Sequence, residues 1–128
     1  MVNYRSGIVK VIIVVALAVI VGASSLLMMQ EQKARAAAGQ VNATLIQAID
    51  DAQEANQATP TSEEVHELIG RIPHLTRQPG RHRYVEEYYW KGPMGEQKLY
   101  AYYSSAADKF LEAVSLNQKL TEWEGDDK

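Results

Sequence analysis

The amino-acid sequence predicts an α+β protein: an N-terminal transmembrane helix continuing into a stalk helix, then a short helix packed on a three-stranded antiparallel sheet. Three observations support this: an uncharged apolar run, an alanine-rich stretch without proline, and Tyr- and Val-rich segments separated by turn formers. We expect five parts: an N-terminal tail (1–10), a transmembrane helix (11–29), an amphipathic stalk (30–59), a small α+β domain (60–120) and an acidic tail (121–128).

The apolar run is long enough to cross a membrane. Its nineteen residues, 11–29 (VIIVVALAVIVGASSLLMM), carry no charge and as a helix would span about 28 Å, close to the roughly 30 Å hydrocarbon core of a bilayer. Eleven of them are Val, Ile or Leu, and each favours insertion by about 0.3 to 0.6 kcal/mol. The run therefore predicts a retained single-pass anchor with the lipid bilayer as a partner.

A cleaved secretory signal is the alternative interpretation of the same segment. Arg5 and Lys10 would form its basic region and residues 21–23 (VGA) its cleavage site, which would release a secreted domain after Ala23. However, the apolar run continues for six residues past Ala23, and the hydrophobic region of a signal is normally about 7 to 15 residues long. The greater length favours the anchor.

Basic residues flank the apolar run on both sides. Arg5 and Lys10 precede it, and Lys33 and Arg35 follow it. The two sides therefore carry equal numbers of basic residues, and only the positive charge of the amino terminus favours a cytoplasmic N-terminus under the positive-inside rule. We expect a plasma (inner) membrane protein whose C-terminal domain lies outside the cytoplasm.

The part of the chain after the apolar run is acidic. Residues 30–128 carry 11 Lys or Arg and 16 Asp or Glu, a net charge of −5. This balance argues against general nucleic-acid binding, which needs a positive surface against the phosphates. The chain contains no cysteine, so it has neither disulfides nor a site for a lipidated cysteine.

Apolar residues recur along the stalk at helical spacing, at Val41, Leu45, Ala48, Ile49 and Ala52. This stripe is compatible with packing against the chain's own domain and equally with a coiled-coil dimer. The second possibility defines an alternative function, a structural subunit that assembles through its membrane and stalk helices in a pilin-like or coiled-coil manner.

A second helix opens at Thr61. Thr61 and Glu64 have the spacing of a capping box, in which each side chain accepts a hydrogen bond from the other residue's backbone N–H. Val65, Leu68 and Ile69 supply a buried face. Gly70 suits the left-handed position that ends a helix.

Two strands are predicted over residues 81–90 and 98–104, joined by a turn. In the first strand, Tyr84 and Tyr88 share a face with Glu86, whereas Glu87 lies on the opposite face because side chains alternate along a strand. Residues 110–116 fit a third strand or a helix, and we favour the strand.

The motif at the start of the domain resembles that of the small outer-membrane-assembly lipoproteins, the BamE or SmpA/OmlA family. Their pattern, Thr-x-x-Glu/Gln-Val-x-x-Leu-Leu-Gly-x-Pro, is similar to residues 61–73 (TSEEVHELIGRIP), which are one residue longer before the proline. The resemblance covers about residues 60–117 and implies a helix packed on a sheet. This chain lacks the family's lipidated cysteine and carries a membrane helix instead.

No catalytic or metal-binding constellation is found in the sequence. His66, His74 and His82 are not at ligand spacing, and we expect His66 to be an exposed helix residue. Glu86 and Glu87 point to opposite faces of a strand and so cannot share a proton. We therefore predict no enzymatic activity, no metal and no cofactor.

Two sets of residues are candidates for binding. An acid-free stretch of thirteen residues, 71–83, suggests contact with an anion; its arginines are Arg71, Arg77, Arg81 and Arg83. The aromatic strands suggest a protein interface; their candidates are Tyr84, Tyr88, Trp90, Tyr100 and Tyr102. The sequence thus predicts a non-enzymatic, membrane-anchored interaction domain with a protein partner or a second copy of itself.

Overall fold

The α+β class is confirmed in the computed structural model, which describes residues 4–104 and 108–124. The elements in chain order are α1 (Tyr4–Glu54), α2 (Ser62–Ile69), β1 (Leu75–Gly80), β2 (Arg83–Gly92), β3 (Gly95–Ser104), β4 (Leu111–Leu116) and α3 (Thr121–Glu124). The four strands form one antiparallel sheet in the order β1-β2-β3-β4.

Helix α1 is continuous over 51 residues, so the apolar run and the stalk are one helix. At about 1.5 Å per residue it is roughly 76 Å long. Every residue from Lys10 to Gln30 is exposed, and this part of the helix is long and apolar enough to cross a membrane.

The sheet has one strand more than the three predicted. Strand β1 falls within the acid-free stretch 71–83, where Pro79, Gly80 and the lack of apolar alternation give no strand signal. Its pairing with β2 is irregular between Arg77 and Gly80. A proline is tolerated at such a position because β1 is an edge strand with one side free of ladder hydrogen bonds.

The hairpin of β2 and β3 is longer than predicted and its turn is shorter. The ladder runs from the pair Arg83–Ser104 to the pair Gly92–Gly95, which leaves only Pro93 and Met94 in the turn. The strand interpretation of residues 110–116 is correct, since β4 pairs with β3.

The main core lies between the sheet on one side and helices α1 and α2 on the other. Its buried members are Leu45, Val65, Tyr88, Leu99, Ala101, Tyr103 and Leu111. Leu45 has no exposed surface, so the apolar stripe of the stalk packs against the chain's own domain. Buried residues of α1 extend from Glu31 to Ala52, and the sheet therefore lies alongside the stalk instead of beyond its end.

The second face of the sheet is covered in part by the C-terminal segment. Val85, Tyr100 and Tyr102 are buried there, with Leu120 and Trp123 packed against them. Trp123 belongs to α3, within the segment predicted as an acidic tail; residues 125–128 lie outside the described part of the chain.

The capping signals at both ends of α2 are confirmed, whereas of the predicted buried face only Val65 is fully buried and Leu68 is 51% exposed. Thr61 accepts a hydrogen bond from the backbone N–H of Glu64, and the Glu64 side chain accepts one from the Thr61 N–H. Gly70 follows the helix in the left-handed region at φ 68°, where a residue with a Cβ is strained. This cap directs the chain into the loop that carries Arg71 and His74.

Candidate functional site

The turn of the β2–β3 hairpin lies against α1 directly after the apolar run. The Glu31 carboxylate, two residues beyond Met29, accepts a hydrogen bond of 3.0 Å from the backbone N–H of Met94. Glu31 is only 7% exposed. Gly92 lies so close that a Cβ at that position would collide with this carboxylate. The hairpin therefore points back along the stalk toward the apolar run.

A groove opens beside this contact, with a volume of about 700 Å³. One wall is the first turns of the stalk, residues 30–37, and the other is the end of β2 with the loop between α2 and β1. The side chains that give the groove its chemical character are three cations, one indole ring and one imidazole: Lys33, Arg71, Lys91, Trp90 and His74.

Contacts with the aromatic rings position two of these groups. The Arg71 guanidinium lies over the Trp90 ring, 4.7 Å from its centroid, and Arg71 Nη2 donates a hydrogen bond of 3.2 Å to the Tyr89 carbonyl oxygen. The His74 ring lies 4.3 Å from the Tyr89 ring. The groove is thus a built cationic and aromatic surface.

A second polar cluster lies under α2. His66 Nε2 is 2.7 Å from Glu86 Oε2, and the Tyr88 hydroxyl donates to Glu86 Oε1 at 3.1 Å. Glu86 is 1% exposed. Burial raises the pKa of Tyr88 above its ordinary value, which keeps this hydroxyl protonated and able to donate.

The expectation that His66 is an exposed helix residue is wrong. Its side chain is partly buried against Glu86, which is twenty positions further along the chain. A hydrogen-bond partner at that separation leaves no local pattern, so only the fold reveals it.

On the opposite face of the sheet, Arg77 holds α3 in place. Its guanidinium forms ion pairs with Glu87 and with Glu124, whose two carboxylate oxygens both accept hydrogen bonds at 2.8 Å. Tyr102 also donates to Glu124 at 2.9 Å. The hydrogen bond from Arg77 lowers the pKa of Glu124.

Tyr89 donates to Glu87 on this face, and that bond raises the pKa of Tyr89 to about 12.

The five aromatic candidates do not form one surface. Tyr88 lies in the core beneath α1, whereas Tyr100 and Tyr102 lie on the other face of the sheet under the C-terminal segment. Tyr84 and Trp90 are partly exposed. Of the five, Trp90 alone lines the groove.

The four arginine candidates are also separated. Arg71 lies in the groove and Arg77 on the opposite face of the sheet. Arg81 and Arg83 lie at the start of β2, and ten residues of strand place that end about 30 Å from Gly92. The Arg83 guanidinium lies over the Trp123 ring, 4.5 Å from its centroid.

Two cations of the groove, Lys33 and Lys91, were not singled out in the sequence. Lys33 belongs to the stalk, and Lys91 was assigned to the turn, so nothing local connects either to Arg71. Within residues 4–104 and 108–124, no three His, Asp or Glu side chains come together as possible metal ligands.

The chain matches no protein-family model, no curated protein and no solved structure. The resemblance to the small outer-membrane-assembly lipoproteins therefore stays a prediction.

Proposed function

We propose that this chain is a non-enzymatic, single-pass membrane protein that holds a small α+β interaction domain against the non-cytoplasmic surface of the membrane. The observation that carries the proposal is a sharp change along α1. Residues 10–30 are exposed without interruption, and burial by the domain begins at Glu31. An exposed apolar helix of this length is costly in water and favourable in a bilayer.

The placement of the domain also supports a role at the membrane surface. Because the sheet packs along the stalk, the hairpin turn lies near the end of the apolar run. Met94 in that turn is 78% exposed. An apolar side chain at this position is suited to contact with the interfacial region of the bilayer.

A surface depression between α1 and α2 supports binding of a protein partner. Leu68 of α2 is half exposed there, beside Ala43 and Ala48 of α1. This depression lies at the edge of the apolar stripe, which contributes Ala48, and its other lining residues belong to α1 and α2 and none to the sheet. We take it as the protein-contact surface of the domain in place of the buried tyrosines.

A coiled-coil subunit is less compatible with the fold. The stripe that would form the coiled coil includes Leu45, which is part of the domain's own core. Pairing two copies through that stripe would require the sheet to leave the stalk.

Membrane insertion and sidedness can both be tested. The sidedness test uses single introduced cysteines, since the chain has none of its own. We expect the full chain to resist extraction by alkaline carbonate. A single cysteine introduced by Glu63→Cys, at an exposed position of α2, is expected to react with a membrane-impermeant maleimide on intact cells. The matched variant Ser6→Cys, before the apolar run, is expected to react only after the membrane is opened.

The alternatives give different results in the same assay. The secreted domain would be supported if alkaline carbonate releases the protein and its measured mass is that of a chain that begins after Ala23. Labelling of Ser6→Cys but not Glu63→Cys on intact cells would contradict the proposed orientation.

A further inference from the structure

We propose that the groove formed by Lys33, Arg71 and Lys91 binds the phosphate-bearing headgroup of an anionic phospholipid in the leaflet from which the stalk emerges. The inference depends on the proposed membrane anchoring and adds to it a specific ligand. It is carried by the depth of the groove, its charge and its aromatic wall, each of which is an independent observation.

The groove lies at the depth of lipid headgroups. Lys33 is four residues beyond Met29, so its Cα is about 6 Å further along the helix axis. The headgroup layer of each leaflet is about 5 to 7 Å thick. When the apolar run occupies the hydrocarbon core, Lys33 and the groove beside it therefore lie level with the phosphates.

The charge of the groove matches an anion. Within the described part of the chain, neither Lys33 nor Lys91 forms a salt bridge, so both ammonium groups are available to a ligand. The Glu31 carboxylate beside the groove is buried and already bound by the Met94 N–H and by Arg35 at 3.5 Å. Glu96 is the ladder partner of Lys91 but does not line the groove. Among the described residues that line it, there are three cations and no carboxylate.

The aromatic wall favours a lipid over a small soluble anion. The Trp90 ring lines the groove beside Arg71, and amphipathic aromatic rings are enriched at the membrane–water interface. Arg71 lies over Trp90, which fixes its guanidinium, and a planar guanidinium can bind two phosphate oxygens at once. A phosphate on the lysines and Arg71 would leave the glycerol and acyl part of the lipid next to Trp90 and Met94.

The test is a titration of the full chain in detergent with phosphatidylglycerol or phosphatidylcholine, read by native mass spectrometry. We expect preferential binding of phosphatidylglycerol. Each basic residue near a membrane surface contributes about fivefold in affinity, so the double variant Lys33→Gln, Lys91→Gln is expected to bind phosphatidylglycerol about 25-fold more weakly. The double variant Lys109→Gln, Lys119→Gln removes the same charge outside the groove and is expected to stay within about twofold of wild type.

Three results would overturn the inference: equal binding of the two lipids by wild type, equal losses in the two double variants, or complete displacement of phosphatidylglycerol by excess inorganic phosphate. The last result would identify a free anion as the ligand. Carbonate extraction of the same proteins separates the two proposals. A chain that is not retained in the membrane contradicts both, whereas a retained chain without lipid preference contradicts this one alone.

Discussion

The carboxylate of Glu31 accepts a hydrogen bond from the backbone N–H of Met94, 63 residues further along the chain. This bond joins the first buried position of the stalk to the turn of the longest hairpin. It closes the domain against its own helix at the end nearest the apolar run. The distance between the domain and the apolar run is therefore set by the end of the hairpin and not by the length of the stalk.

The first prediction concerns Gly92, whose Cα faces the Glu31 carboxylate. In the variant Gly92→Ala, the new Cβ collides with the carboxylate, and Glu31 has to swing away because its side chain is the more flexible partner. The hydrogen bond from the Met94 N–H to this buried, charged carboxylate is then lost. We expect a loss of about 1 to 3 kcal/mol in the free energy of unfolding, measured by denaturant titration of the full chain in detergent.

Gly95 provides the control for this variant. It lies in the same hairpin, and a Cβ there meets no atom within 4 Å. Gly95→Ala is therefore expected to change stability by less than about 0.5 kcal/mol. Equal effects of the two alanine variants would show that the Glu31 contact does not hold the hairpin.

The second prediction distinguishes intramolecular packing of the stalk from pairing of two stalks. Leu45 is fully buried against the sheet, and its neighbour Ile46 is 42% exposed. Leu45→Ala is expected to destabilise the domain by about 2 to 5 kcal/mol through the cavity it leaves, and Ile46→Ala by much less. The mass of the protein in detergent, measured by light scattering, is expected to be the same in both variants. A drop in mass for Leu45→Ala alone would instead support a coiled coil.

Local sequence signals were sufficient for α1, α2 and the central hairpin, but not for α3, which lies in the segment predicted as an acidic tail. The Thr61 and Glu64 cap, the Gly70 stop and the alternation along β2 each depend on residues a few positions apart, and each is confirmed. Strand β1 was missed because an edge strand with Pro79 has neither apolar alternation nor a complete ladder.

The groove could not be predicted from the sequence because its cations are far apart along the chain. Lys33, Arg71 and Lys91 come from three separate elements and meet only because the hairpin folds back along the stalk. Tyr88 was a candidate for a protein interface because Tyr residues are common at interfaces. In the fold, Tyr88 is 1% exposed and belongs to the core. Its hydroxyl is satisfied internally by Glu86.

The third prediction concerns the contact between His66 and Glu86. His66→Leu removes one hydrogen-bond partner from a buried carboxylate, and such a loss costs about 1 to 3 kcal/mol in the free energy of unfolding. His66→Gln retains a side-chain donor of similar reach and is expected to recover most of that stability. Thermal unfolding followed by near-ultraviolet circular dichroism measures both. A leucine variant as stable as the glutamine variant would contradict a stabilising role for this pair.

The last prediction is a release of α3 in acid. Arg77 lowers the pKa of Glu124 from its ordinary value of 4.5. A carboxyl whose pKa is lower in the folded state stabilises the fold above its ordinary pKa, and this contribution disappears as the pH falls through the lowered value. We therefore expect α3 to leave the sheet below about pH 4.5.

Trp123 reports this release, because it belongs to α3 and packs 6.1 Å from the Tyr102 ring. With Trp90→Phe as background, its fluorescence is expected to shift toward longer wavelengths in acid as the indole meets water. Glu124→Gln keeps the shape of the side chain but cannot pair with Arg77 as an anion. At neutral pH, the Trp123 fluorescence of this variant is therefore expected to lie at longer wavelengths than that of the chain with Glu124. Its spectrum should also change little between neutral pH and acid, since the titrating carboxyl is gone. An acid transition of the same size in Glu124→Gln would contradict the assignment of the release to Glu124.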